Sequence, residues 1–235
     1  GSGLPASTRP PIGPIGPIGP ICHMGPMASQ GLAVTLPLLG GHQLENLRTA
    51  ATAWEVLRRR GWPASWEDFA AGVEGVRWPG RIEIVPSRPR VVVDGAHCPL
   101  SGRALAQALD ELYPAAGRHI VFGAQRDKNI PEIFGALMET REEGGTARVL
   151  SWAFYTVPGG RGATADELAE KAVATGICSD RITLHPTATE ALDAVCRRAA
   201  PEEVVVSCGT LYSIGEVLDA ARRRIVDPPL PISPA

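Results

Sequence analysis

The chain has 235 residues, 44% of them apolar, and 23 Lys+Arg against 25 Asp+Glu leave a formal charge of −2. That length allows one sizeable domain or two small ones, with enough apolar material for a core, which excludes general disorder. The near-neutral charge gives no footprint for non-specific nucleic-acid binding, and no apolar run approaches the ~18 residues of a membrane span.

Residues 1–30 stand apart, with seven prolines, six glycines and the triplet Gly13-Pro14-Ile15 repeated from Gly16 and Gly19. Three such triplets are too few for a collagen helix, and the segment is expected to be a flexible or tag-like tail. From residue 31, Leu47, Ala50, Ala51, Trp54 and Leu57 follow helical spacing until Gly61, and a second helix is expected from Ser65 through Val73 with Asp68 as its capping partner. Trp78-Pro79-Gly80-Arg81 then makes a breaker-rich turn before a strand at Ile82–Val85.

Beyond the turn, short apolar runs at Val91–Val93, Ile120–Phe122, Val149–Phe154, Ile182–Leu184 and Val204–Val206 alternate with helical patterns. Unbroken runs of this kind suit parallel strands buried on both faces. Capping-box spacings at Asn129…Glu132, Thr164…Glu167, Thr187…Glu190 and Ser213…Glu216 mark helix starts. The expected fold is α/β: a Rossmann-like open, mostly parallel sheet with helices on both faces, preceded by two helices. The boundaries expected are a tail at 1–30, a helical segment at 31–77, the sheet domain at 78–228 and a Pro-rich tail at 229–235.

In such sheets ligands bind beyond the carboxyl ends of the strands. There the sequence places Asp94-Gly95-Ala96-His97-Cys98-Pro99, then Gly123 through Asn129, then Ser207-Cys208-Gly209-Thr210. Each residue taken alone has an ordinary reading. Asp94 can form a turn, His97 can be a satisfied loop histidine, Lys128 can pair with Asp127, and Arg81 can be a surface arginine. Cys98 adjoins His97, but neighbours in extended chain face opposite ways and no third group orients a base, which argues against a thiol hydrolase.

The five cysteines include no C-x-x-C pair, which speaks against a zinc ribbon or a disulfide framework and for a reducing, cytoplasmic setting. Neither lysine, Lys128 or Lys171, lies in a G-x-x-x-x-G-K-[ST] phosphate loop, and no G-x-G-x-x-G follows the first parallel strand.

Gly41-His42-Gln43 with Asn46, Trp78-Pro79-Gly80-Arg81, Asp94-Gly95-Ala96-His97-x-Pro99, Phe122-Gly123 with Asp127-Lys128, and Cys208-Gly209-Thr210-Leu211-Tyr212 with Gly215-Glu216 occur in one order. Together they resemble folylpolyglutamate synthase/dihydrofolate synthase of the Mur ligase superfamily, over residues 31 to about 225. The resemblance implies the C-terminal, glutamate-delivering domain with the last helices of a central ATPase domain. The phosphate loop and magnesium ligands of that ATPase domain are expected to lie elsewhere, with no metal ligand in this chain.

The implied cofactor is ATP with Mg²⁺, and the implied substrates are glutamate and a folate whose γ-carboxylate is activated as an acyl phosphate. By motif position Asn46 would meet adenine, Arg81 the terminal phosphates and Asp94 the ribose. His97, Lys128 and Thr210 would hold glutamate, and Arg81, Asp94 and His97 form the catalytic set. Cys98 stands where the family carries Asn, Thr210 where it carries Ser, and Val157-Pro158-Gly159-Gly160-Arg161 lacks a Pro-Arg-Ala-like segment. The resemblance also implies no ligation by the chain alone, and an exposed apolar patch near Trp54 and Trp62. The alternative is a non-catalytic assembly module that complements a separate P-loop chain.

Overall fold

Alternating apolar runs and capped amphipathic helices produce a βα succession, and the computed structural model describes it over residues 21–23, 33–139 and 149–225. Strand β1 (Ile21–His23) pairs antiparallel with β2 (Ala33–Thr35), a ribbon that the sequence reading did not foresee. The remainder of residues 1–30, and residues 229–235, lie outside the described residues.

Helices α1 (Gly41–Arg59) and α2 (Trp66–Glu74) follow. Ser65 and Asp68 form the expected capping box, and Gly61, at φ 86°, turns the chain between the two helices. Their apolar stripes meet in a small core of Val34, Leu36, Leu47, Ala51, Phe69 and Val73. Trp54 packs on Phe69 at 5.5 Å and donates its indole N–H to the Ser65 carbonyl, so it is not part of an exposed patch. Trp62, 61% exposed, does lie open, with Val56 and Leu57 also exposed.

The sheet comprises β3 (Glu83–Val85), β4 (Arg90–Val93), β5 (Arg118–Phe122), β6 (Val149–Tyr155), β7 (Ile182–His185) and β8 (Val204–Cys208), in the order β3-β4-β8-β5-β6-β7. Only β3 runs antiparallel; the other five strands are parallel. Between them lie α3 (Pro99–Leu112), α4 (Ile130–Met138), α5 (Ala165–Ala174), a 3₁₀ turn at Ser179–Arg181 and α6 (Ala188–Arg198), and α7 (Ile214–Arg222) closes the series.

From β4 to β7 the chain steps in one direction across the sheet, and α3, α4 and α5 pack on one face around Phe122, Phe134, Trp152 and Phe154. It then reverses, and α6 and α7 cover the other face against Val93, Val121, Ala153 and Val205. Right-handed crossovers demand this change of face when the direction changes. The reversal brings β8 between β4 and β5, so the loops following these three strands share one crevice.

Two expected caps are corrected. Asn129 and Ser213 precede their helices but make no side-chain cap bond. Their backbones, at ψ 73° and 1°, lack the extended geometry that aims a cap oxygen at the first turn. Thr164 and Thr187 have that geometry and do cap.

Candidate functional site

The turn before β3 is held in a strained form. Gly80 has φ 69°, and a methyl group there would meet the Ile214 Cδ1 atom at 2.5 Å. Ile82 has φ 48°, an unfavourable setting for a β-branched residue that costs about 1–3 kcal/mol and starts the expected strand one residue late, at Glu83. Asp94 supports this conformation. Its Oδ2 accepts from the Ile82 amide at 2.9 Å and its Oδ1 from the Ala96 amide at 2.7 Å, while the Gly95 amide donates to the Gly80 carbonyl at 2.9 Å.

The turn therefore carries Arg81 across Gly95, where Nη1 lies 2.9 Å from the place a Cβ would occupy. Arg81 makes no ion pair among the described residues. Burial raises the pKa of Asp94 above the ordinary carboxylate value, opposed by the two amides and by the nearby Arg81 and His42.

His42 belongs to this cluster, although the sequence reading placed it in a motif without giving it a role. It lies two residues after Gly40, whose positive φ of 96° and missing side chain leave room for the His42 ring and Ile82. The buried His42 Nδ1 has no hydrogen-bond partner. Burial lowers its pKa, with Asp94 opposing. Asn46 lies one turn further along α1, exposed, with its amide donating to the Gln43 Oε1 at 3.0 Å.

Beside this cluster is a cleft of about 200 Å³ between the loops that follow β4, β5, β6 and β8. It gathers His97, Lys128 and Thr210, together with Gln125, Arg161 and Tyr212. The His97 Nδ1 lies 2.8 Å from the Gly95 carbonyl and must donate to it, which leaves Nε2 as an acceptor. Thr210 is buried, and its hydroxyl oxygen accepts from the Tyr212 amide at 3.2 Å. The Lys128 Nζ lies 3.5 Å from Asp127, so the simple ion-pair reading and a cleft position hold together. Cys98 turns to Ser101, 3.2 Å away, and not to the His97 ring; that contact lowers its thiol pKa.

Arg161 was missed as a site residue. Its backbone carbonyl accepts from the Arg126 amide at 2.9 Å, and its guanidinium donates to the Tyr212 hydroxyl at 3.3 Å. The only sequence signal was its place in the segment set against the family's Pro-Arg-Ala. Gly95 joins the two clusters, since it carries the carbonyl that orients His97 and the open Cα over which Arg81 lies. Asn46 remains apart, outside the residues lining the cleft.

This is an open α/β domain whose carboxyl-end cleft brings together Lys128 and Arg161, the Asp127 carboxylate, the Thr210 hydroxyl and the His97 ring. The family profile described as "Mur ligase, glutamate ligase domain" matches residues 80–211, more than half the sequence, and the chain belongs to that family.

A Haloferax volcanii protein named a probable bifunctional folylpolyglutamate synthase/dihydropteroate synthase is 30% identical over 207 residues, covering 84% of this chain and 22% of the relative. The structure described as E. coli FolC in complex with DHPP and ADP superposes with a TM-score of 0.64 at 27% identity, over 81% of this chain and 41% of that one. A bifunctional folylpolyglutamate synthase/dihydrofolate synthase solved with Mn, AMPPNP and L-glutamate bound gives 0.62 at 28% identity, over 80% and 42%. The chain thus spans about a fifth of the archaeal relative and about two-fifths of the solved enzymes.

Proposed function

We propose that the chain forms the glutamate side of the active cleft of an ATP-dependent folate γ-glutamyl ligase. The observation that carries this reading is the convergence of His97, Lys128 and Thr210, with Arg161, on one cleft next to the Arg81–Asp94 turn. Glutamate brings two carboxylates and an amine. Lys128 and Arg161 supply cations for the carboxylates, and the Thr210 hydroxyl can donate to a carboxylate oxygen. The His97 Nε2, with its ring fixed through Nδ1, can accept a proton from the amine as it becomes the nucleophile.

The ATP side fits the residues present. Arg81 makes no ion pair among the described residues, the buried His42 Nδ1 has no hydrogen-bond partner, and Gly40 precedes α1 with no side-chain cap. ATP supplies the phosphoryl group that activates the acid. Arg81 is aimed to stabilise charge on its terminal phosphates, Asn46 to reach the adenine, and Asp94 to hold the turn while offering its remaining lone pairs to the ribose. Magnesium ligands are assigned to a P-loop-bearing domain, in the same chain or another.

A second reading rests on the exposed Trp62, Val56 and Leu57 of the helical segment: a non-catalytic module that assembles with a separate P-loop chain. Incubating the purified chain with folate, glutamate and Mg-ATP separates these readings. No product is expected from the chain alone, because most of phosphoryl transfer is positioning by cradle and metal. Product on adding a P-loop-bearing domain supports the ligase reading, and complex formation without product supports the assembly module. Product from the chain alone would refute the dependence on a second domain. Calorimetry should show glutamate binding that Lys128→Ala weakens at least about tenfold.

A further inference from the structure

The amino-terminal end of the sheet, opposite the cleft described above, opens on a second cleft of about 200 Å³ lined by His119, Ser151, Asp180, Arg181, Thr183 and Arg198. We propose that it binds a small phosphate-bearing ligand.

The sheet face beneath α6 is mostly apolar, with Val93, Val121, Ala153 and Val205, and its other polar residues, Ser207, Tyr155 and His185, stand at the carboxyl end. Strand register puts His119 directly beside Ser151, and Thr183 beside Ala153, two residues on from Ser151. In a parallel ladder such positions share one face, so three neighbouring strands each place a polar side chain at the same open edge. Packing alone favours Val or Ala in these positions, as Val205, beside His119 in the register, shows.

The imidazole is built in. The His119 Nε2 lies 2.9 Å from the Glu203 Oε2, which also accepts from the Ala200 amide at 2.7 Å, and Nδ1 lies 2.8 Å from the Ser151 Oγ. Nε2 therefore donates to the carboxylate, and Nδ1 fixes the Ser151 hydroxyl at the cleft wall. A Ser–His–Glu chain suggests acyl transfer. Ser151, however, sits in the β5–β6 ladder and not at a strand-to-helix turn, where free amides gather to form an oxyanion hole, so the arrangement serves binding.

The charge that selects the ligand comes from Arg181, at the end of the 3₁₀ turn, and Arg198, at the end of α6. Neither makes an ion pair among the described residues, although Asp180 lines the same cleft. Two guanidinium forks suit a tetrahedral oxyanion. The Ser151 hydroxyl is held by His119 and the Thr183 hydroxyl lies 3.0 Å from the His185 Nε2, so the two arginines supply the donors. The volume leaves room for a short organic stem.

Inorganic phosphate titrated into the full chain, followed by calorimetry and by the His119 ring resonances in NMR, tests the proposal. Saturable binding is expected to shift the His119 signals and to weaken at least about tenfold in Arg198→Ala and, independently, in Arg181→Ala. Lys128→Ala should leave that binding unchanged. Three results would overturn the proposal: no saturable binding, binding lost with Lys128 but indifferent to both arginines, or succinate binding as tightly as phosphate. The outcome is independent of the ligase reading, which concerns the other end of the sheet.

Discussion

Each central strand of the sheet feeds two cores at once, whereas each helix of the 33–77 segment offers one stripe to one neighbour. Trp152 and Phe154 face α4 and α5 while Ala153 and Tyr155 of the same strand face α6 and α7. The helical segment has six core residues and a border of tryptophans. Burial on both faces makes the sheet domain redundant in its contacts, and the helical segment depends more on how its N-terminal end is docked. That dock is the place where Gly40 and His42 meet Ile82, Asp94 and Arg81, so the weaker region supplies part of the candidate ATP side.

Trp152→Ala should do the most damage, since it removes a side chain packed against Phe122, Phe134 and Phe154. A loss of about 3–5 kcal/mol is expected in denaturant unfolding followed by circular dichroism. Phe69→Ala deletes a comparable aromatic from the helical segment. It should lower hydrogen-exchange protection in α1 and α2 while the sheet's unfolding midpoint stays in place. Equal losses in both regions would mean that the two cores unfold as one unit, with no difference in redundancy between them.

At the junction, Asp94→Ala leaves the Ile82 and Ala96 amides buried without an acceptor. It should cost about 2–4 kcal/mol, and Asp94→Asn should not restore full stability, because its amide group would face one of the backbone donors.

His42 gives a pH test. Its folded pKa lies below the ordinary 6.5, chiefly through burial, so folding favours the neutral ring. That contribution is complete above pH 6.5 and is lost as the pH falls through the lowered value. His42→Leu should flatten this part of the stability profile. Asp94, raised by burial, has the opposite sign: its contribution declines as the pH rises through its elevated value. An unchanged profile in His42→Leu would place the titration elsewhere. The smallest structural effect is expected at Arg161, exposed on its loop. Arg161→Ala should change stability by less than about 0.5 kcal/mol yet weaken glutamate binding.

Much of this was legible from local pattern. The apolar runs became strands extended by one or two residues, as in Arg118–Phe122 and Val204–Cys208, because flanking residues continue a ladder once it exists. Ser65 and Thr164 were readable as caps, since each needs only its own first turn. Ser213 was not: tertiary packing buries it, and its hydroxyl bonds to Tyr155 instead. Arg161 and His42 escaped for the same reason. Arg161 lies well into the loop after β6, with no motif beside that strand end to mark it, and His42 lies on α1; both reach the candidate site because separate elements fold onto it.

Local pattern was enough for the alternation of elements, the polar strand ends and the glycines that make close turns, all of which follow from interactions within a few residues. Long-range packing set the rest: β8 enters between β4 and β5, Asp94 commits its carboxylate to the turn carrying Arg81, and Arg161 joins Lys128. Strand order and loop convergence depend on pairing between segments far apart in the chain. That free energy belongs to no local pattern and becomes visible only when the sheet closes around its two cores.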